Sequence, residues 1–395
     1  MKQSILGSIS PAAFLESYWQ KKPLLIRNAI PDFQSPLSAD ELAGLALEEE
    51  VESRIVLEKG LEQTDGPWQL KRGPFTETDF SNLPPSHWTL LVQAVDHWVP
   101  EVHSLLDYFD FLPSWRLEDI MISYATDGGS VGPHYDHFDV FLIQAEGKRR
   151  WQVGPVYDAS SPRLEETELH ILSEFEVVED YVLEPGDMLY LPPGVGHHGA
   201  AEGECMTISV GFRAPSHREI LMQFTDFIAD QLPESLRYSD PDQTLPAHKG
   251  EIDETALDRL QAILKEHIED RALLSEWFGE MMTQPKHEQP VEETYQDWAE
   301  LKAEAEGIDL LTNEGSRLAF KQKSAQQESL MLFVDGESYE CKTEATRNLA
   351  LKLCESACLE AKHWSSIKEE EAQKLIMELI NMGSIYPDFE EDFEE

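Results

Sequence analysis

Residues 132–151 read GPHYDHFDVFLIQAEGKRRW, and this stretch decides the fold. His134 and Asp136 stand two apart and an apolar run follows. Glu146-Gly147 then marks a turn, and Lys148, Arg149 and Arg150 open the next segment. Side chains two apart on an extended strand share a face, so one imidazole nitrogen and one carboxylate oxygen project together. The same grammar holds from Asp119 onward. DIMISYA, DVFLIQA, RRWQVG, EVVEDYVL, DMLYLP and MTISVGF are short apolar segments separated by Gly, Pro and Asp. The gaps between them leave no helix to carry a parallel crossover, so a barrel or sandwich of strands is expected.

A metal held on one face needs a third donor. LEPGDMLYLPPGVGHHG, 183–199, offers His197 and His198 just after a strand and a Pro-Pro-Gly turn. Two histidines and one carboxylate, with the other coordination positions free, form the facial triad of non-haem iron(II) oxygenases. A fully ligated structural zinc would leave no position for a reactant. His-x-Asp alone more often caps a turn or makes a polar contact; the later segment is what raises it to a ligand pair, because an antiparallel barrel can return its histidine to the first two donors. The basic cluster fits the same chemistry. A small dicarboxylate chelating iron at one end needs a cation at the other, and guanidinium binds carboxylate in bidentate fashion.

Elements of a different kind flank the strands. PAAFLESYWQKKPLLIRN, 11–28, reads as a short amphipathic helix stopped by Pro23 and followed by a strand. Ser38 is a good N-cap for SADELAGLALEEE, and HWTLLVQAVDHWV, 87–99, carries apolar residues at helical spacing. After Pro215 come HREILMQFTDFIADQL and the longer ETALDRLQAILKEHIEDRALLSEWFGEMM. In the latter Leu257, Leu260, Ile263, Leu264 and Ile268 form a stripe that either packs on the barrel or makes a dimer seam. PKHEQPVEET reads as a linker, and beyond it SRLAFKQ and LMLFVDGESYECK are strands with a turn at Asp335-Gly336, followed by two helical stretches. That order is winged-helix-like. The expected domains are 1–215, 216–284 and 285–395.

Lys and Arg total 31 against 76 Asp and Glu, a net charge of −45, which repels phosphate and favours a basic partner. The last helical stretch carries EEEAQK and the chain ends DFEEDFEE, so direct DNA binding is not expected of the third domain. Cys205, Cys341, Cys354 and Cys358 are too few and scattered for a disulfide framework. Cys354 and Cys358, four apart, read as two buried thiols on one helix. The N-terminus lacks a signal-peptide core, and no apolar run approaches the ~20 residues of a membrane span. A soluble, cytoplasmic protein is expected.

GPHYDHFDVFLIQAEGKRRW, LEPGDMLYLPPGVGHHG and SVGFRAP together resemble the cupin-like JmjC family of 2-oxoglutarate oxygenases. FLESYWQKKPLLIRN, LLVQAVDHW and the helical and winged-helix-like C-terminal region are similar to the bacterial ribosomal oxygenases within it. The resemblance implies an α+β fold: a double-stranded β-helix (jelly-roll) barrel, a helical dimerisation region and a winged-helix-like domain. It implies Fe(II), with 2-oxoglutarate and dioxygen as co-substrates, and hydroxylation of an arginine β-carbon in large-subunit ribosomal protein sixteen. His134, Asp136 and His197 would be the iron ligands. Arg149 would pair with the distal carboxylate of 2-oxoglutarate, and Ser123 in MISYA would add a hydroxyl. His197 is preferred to His198 because the family places its histidine three residues beyond Gly194. Strand alternation turns Lys148 and Arg150 away from the face of Arg149, and His137 is assigned to the surface or to a supporting place beside the ligands. Asp127, in the ATDGG loop, is a candidate acid for the substrate guanidinium. A homodimer is also implied. Competing readings are the same chemistry on histidyl or asparaginyl residues or on N-methyl-lysine, and a non-catalytic cupin that binds a partner.

Overall fold

Along Val140–Ile143 successive side chains go to opposite sides of one sheet, and both sides are buried. Phe141 and Ile143 enter the main apolar core, while Val140 and Leu142 enter a second cluster. That double burial is why the run is apolar throughout instead of alternating with polar residues. The computed structural model describes residues 4–58, 67–165, 167–287, 291, 294–324 and 327–389. The chain divides into two compact units, Met1–Ala214 and Pro215–Glu395.

The first unit runs α1 (Pro11–Ser17), β1 (Leu24–Ile26), α2 (Ala39–Leu45), β2 (Ser53–Glu58), β3 (Trp68–Arg72), α3 (Glu77–Ser81), β4 (Trp88–Val92), α4 (Pro100–His103), β5 (Leu117–Ala125), β6 (Val140–Val156), β7 (Glu179–Leu183), β8 (Met188–Leu191) and β9 (Val195–Phe212). The strands pair antiparallel in the order β1-β8-β6-β9-β5-β4-β2-β3, with β7 added beside β6. β6 and β9 are the spine. At ~3.3 Å per residue each spans about 55 Å, and each changes neighbours along its length. The first part of β6 lies between β8 and the end of β9; its later part lies between β7 and the start of β9. On the outer face Phe14 of α1 meets Phe141 and Tyr190 at 5.7 and 5.0 Å, fixing the N-terminal helix to the barrel. Ser38 caps α2 in a full capping box with Glu41. The antiparallel pairing throughout is the strand barrel expected from the short apolar segments.

Three local expectations are corrected. Residues 88–92 form strand β4, not a helix. Leu90 and Val92 face the main core while Thr89 and Leu91 face the cavity described below, so both sides are buried and the run mimics helical spacing. Ala94 at φ +52 ends the strand. Glu146-Gly147 does not reverse the chain: β6 continues through it, and Gly147 at φ +62 takes up a bulge where the register against β9 shifts. The long helical stretch after residue 253 is two helices, because the Asp270 side chain accepts from the N–H groups of Ala272 and Leu273 and starts a new one.

The second unit holds α5 (His217–Gln231), α6 (Glu254–Ile268), α7 (Arg271–Thr283), α8 (Trp298–Glu304), β10 (Leu310–Thr312), β11 (Leu318–Ser324), β12 (Gln327–Val334), β13 (Glu337–Cys341), α9 (Glu344–Glu355), β14 (Cys358–Leu359), α10 (Ala361–Trp364), α11 (Glu370–Asn381) and β15 (Ile385–Pro387). β11, β12 and β13 form one sheet, and β10 lies between β14 and β15 in another. Asp335 and Gly336, both at positive φ, make the tight β12–β13 turn. Trp364 is wholly buried among Leu310, Leu349 and Ile376. Cys354 and Cys358 do not share a helix: α9 ends at Glu355, and the Ser356 hydroxyl accepts from the Cys358 N–H as the chain turns into β14. Both thiols are half-buried. The end of the acidic tail, from residue 390, lies outside the described residues, as does part of the 285–294 segment. No helix among the described residues is long and apolar enough to cross a membrane.

Candidate metal centre

The triad is assembled by main-chain bonds before any ion is considered. His134 and His197 form an antiparallel bridge, their N–H groups donating to each other's carbonyls at 3.0 and 2.8 Å, and their rings lie 4.3 Å apart. The Gly194 N–H donates to the Asp136 carbonyl at 2.7 Å, tying the Pro-Pro-Gly turn to the first ligand pair. His134 Nδ1 lies 2.9 Å from the Gly132 carbonyl and His197 Nδ1 3.0 Å from the Val195 carbonyl. A carbonyl only accepts, so both Nδ1 atoms carry a proton, and Nε2 is the nitrogen each ring leaves for a metal. Asp136 Oδ2 stands 3.6 Å from His197 Nε2, and the donor atoms of all three side chains lie within 4.8 Å of one another. Burial, reinforced by His134 and opposed by the Asp136 carboxylate, pushes His197 down to about 4. Its imidazole is therefore neutral and ready to ligate at neutral pH. Two nitrogens and one oxygen, aimed from one side, suit a divalent iron-group ion.

Arg149 has the same interior. It is 3% exposed, with Nη1 3.4 Å from Ser123 Oγ, Nη2 3.3 Å from the Gly199 carbonyl, and its guanidinium 5.1 Å from the Trp151 ring. Burial pushes its pKa down, and among the described residues no carboxylate lies within ion-pair distance of it. Lys148 and Arg150, one residue either side, point outward and do find acids: Glu184 for the first, Asp180 and Glu202 for the second. An uncompensated buried cation is costly, and an entering carboxylate relieves that cost.

A cavity of about 1000 Å³ joins these groups. Arg149, Ser123 and the triad line it, and so does a wall from β2, β4 and β5 that includes Arg54, Leu91, Asp119 and Met121. Asp119 is buried and accepts from Gln93 Nε2 at 3.0 Å. The alternation that separates Arg149 from its neighbours also puts Asp119, Met121 and Ser123 on one face of β5, a pattern that strand spacing alone carries. Asp127 is not among the lining residues. It is exposed, and its Oδ1 accepts from the Gly203 N–H at 2.8 Å, supporting a turn within β9. His198 lies outside the three-donor cluster, its Nδ1 3.4 Å from Gln152 Oε1. His137 is exposed, with its ring edge-on to Tyr135.

Comparison with known proteins agrees with this geometry. The sequence model of the JmjC domain matches residues 104–220, and that of the ROXA-like winged helix matches residues 266–386. The chain is 42% identical over 286 residues to the ribosomal protein uL16 3-hydroxylase of Escherichia coli, covering 72% of this chain and 74% of that one. It is 38% identical over 279 residues to a probable ribosomal oxygenase of Haemophilus influenzae, covering 70% and 67%. A crystallised ribosomal oxygenase, YcfD of Escherichia coli in complex with cobalt and 2-oxoglutarate, superposes with a TM-score of 0.82 at 35% identity, covering 97% of this chain and 99% of the other. With a donor triad, a buried arginine and matches over both of its units, the chain belongs to the ribosomal oxygenase family of JmjC proteins.

Proposed function

We propose that this protein is an Fe(II)- and 2-oxoglutarate-dependent dioxygenase that hydroxylates the β-carbon of an arginine in the large-subunit ribosomal protein uL16. One observation carries this: a buried arginine with no counter-charge among the described residues opens into the same cavity as a triad of two imidazoles and one carboxylate. A related enzyme bears the name uL16 3-hydroxylase, and related structures hold cobalt with 2-oxoglutarate or with succinic acid.

His134, Asp136 and His197 would hold the ion on one side and leave its other positions to the cavity. Arg149, with the Ser123 hydroxyl, would receive the distal carboxylate of 2-oxoglutarate. When bound, iron and co-substrate supply the oxidation: one oxygen atom of dioxygen goes to succinate, with loss of carbon dioxide, and the other to the substrate carbon. Val140, Leu142 and Trp151 give the cavity an apolar lining that keeps water from the reacting centre. Asp119 offers a buried carboxylate to a guanidinium. That favours an arginine over a histidyl or asparaginyl target, and the acidic chain suits a basic ribosomal client. Incubation with Fe(II), 2-oxoglutarate and uL16 should add one oxygen atom to a single arginine-containing peptide. A spectrum in which no uL16 peptide gains mass rejects this client.

The apolar stripe of α6 remains largely exposed, Leu257, Leu260 and Leu264 among it, and in this proposal the 216–284 region pairs two copies into a homodimer. The protein acts in the cytoplasm. The winged-helix domain of 285–395 makes protein contacts in place of DNA contacts, since α11 opens on Glu370 and Glu371.

A further inference from the structure

Arg149 is not the only arginine facing the cavity. Arg54 of β2 lies opposite Leu91 of β4, and Leu91 lies opposite Ser123 of β5. Arg54 therefore shares an inner row with the Ser123 hydroxyl that Arg149 contacts, two strands away, or about 10 Å at ~4.8 Å per strand. Its other cross-strand partner is Arg72 of β3. Like charges placed opposite each other repel, and the two differ in how this is relieved. Arg72 pairs with Glu168 at 2.7 Å. Arg54 is half-buried, and the hydrogen bond it makes is Nη2 to the Met121 thioether at 3.9 Å, a weak acceptor. No carboxylate among the described residues lies within ion-pair distance of it.

A guanidinium with unspent N–H groups on the wall of a reaction cavity is a ready binding group. The wall also decides what it binds. Glu52 and the buried Asp119 line the same cavity, Glu118 there is paired with Arg213 at 2.7 Å, and the chain carries a net charge of −45, so an acidic guest beside Arg54 would meet repulsion. A neutral carbonyl oxygen meets none. Arg149 already serves the anionic co-substrate at the far end of the row.

We infer that Arg54 donates to a main-chain carbonyl of the protein substrate, and so fixes the segment carrying the target residue beside the triad. This rests on the protein-hydroxylase reading above. Asp119 would hold the far end of the side chain while Arg54 holds the backbone from which it springs. Two anchors on opposite sides of the reacting carbon orient it, which one anchor cannot do.

The test measures binding without turnover. Full-length protein is loaded with Mn(II) and 2-oxoglutarate under nitrogen, and intact uL16 from the same organism is titrated in by calorimetry. Arg54→Met keeps the apolar stem and removes the donors; it should weaken uL16 binding about tenfold. Arg54→Gln keeps an N–H donor without charge and should stay within about threefold of wild type. The affinity for 2-oxoglutarate should be the same in all three. Unchanged uL16 binding by the Met variant overturns the inference. So does a Gln variant as weak as the Met variant, which would mean a carboxylate guest, or a parallel loss of 2-oxoglutarate affinity, which would mean a role in the co-substrate site. If wild type itself does not bind uL16, the client assignment fails first; bound uL16 with unaltered variants rejects the role of Arg54 alone.

Discussion

Gly199 lies against the Arg149 guanidinium so closely that a Cβ at this position would stand 2.7 Å from Arg149 Nε and equally near the outer edge of the Trp151 ring. The absence of a side chain at 199 is thus a condition for the arginine's pose. Gly199→Ala should displace either Arg149 or Trp151, costing about 1–3 kcal/mol of stability as overpacking does. Calorimetry should show 2-oxoglutarate affinity down about tenfold or more, and Arg149→Ala should raise the required 2-oxoglutarate concentration further while sparing metal retention.

His134→Ala and His197→Ala should each abolish retention of iron after dialysis, measured by elemental analysis. His198→Ala should retain it, since His198 stands outside the donor cluster. Metal loss from the His198 variant equal to that from the His197 variant would reassign the third ligand.

Asp139, three residues beyond Asp136 and wholly buried, accepts from Tyr190 Oη at 2.6 Å and Gln20 Nε2 at 2.8 Å, with Arg116 at 3.3 Å. Burial raises its pKa above the ordinary 3.8, against the pull of these donors. The folded state then binds the proton more tightly than the unfolded one. Stability from this group is greatest below the ordinary value and declines as pH rises through the raised one. Asp139→Asn removes that slope and sets an amide N–H against the donors of Gln20 and Arg116, costing about 1–3 kcal/mol at neutral pH. Urea melts between acid and neutral pH should show the gap between wild type and variant narrowing as pH rises.

Cys341 and Cys354 should resist alkylation in the native state. Burial pushes their thiols up to about 11 and about 12, leaving almost no thiolate at neutral pH. Mass spectrometry after iodoacetamide should find them labelled only once the C-terminal unit unfolds.

The parts of the site legible in the sequence are those set by spacing within one strand. His134 and Asp136 two apart, and Arg149 sorted from Lys148 and Arg150 by alternation, need nothing beyond strand geometry. The Pro-Pro-Gly turn before His197 is also local, and its motif carried the choice over His198. The places of Asp119 and Arg54 on the cavity wall depend on sheet order, which sets β5, β4 and β2 side by side beyond β9. Burial on both faces hid β4 as a helix, since the alternation that marks a half-buried strand vanishes when both sides are apolar. A bulge glycine and a hairpin glycine look alike in sequence, so the continuity of β6 was hidden too. The C-terminal unit is legible in element order, whereas the break at Asp270 rests on one side-chain cap that periodicity does not show.

Arg149 and His197 ride on two continuous ribbons, β6 and β9, paired along most of their lengths, with Val153 opposite His197 and Ala201 opposite Arg149. A slip of one residue between the ribbons would turn one of the two groups out of the cavity and leave the other without it. Arg54, Asp119 and Leu91 belong to separate, shorter strands. Under the proposed function, the arginine for the co-substrate and one metal ligand would depend on a single long pairing, while the groups facing the client would sit on strands that can vary one by one.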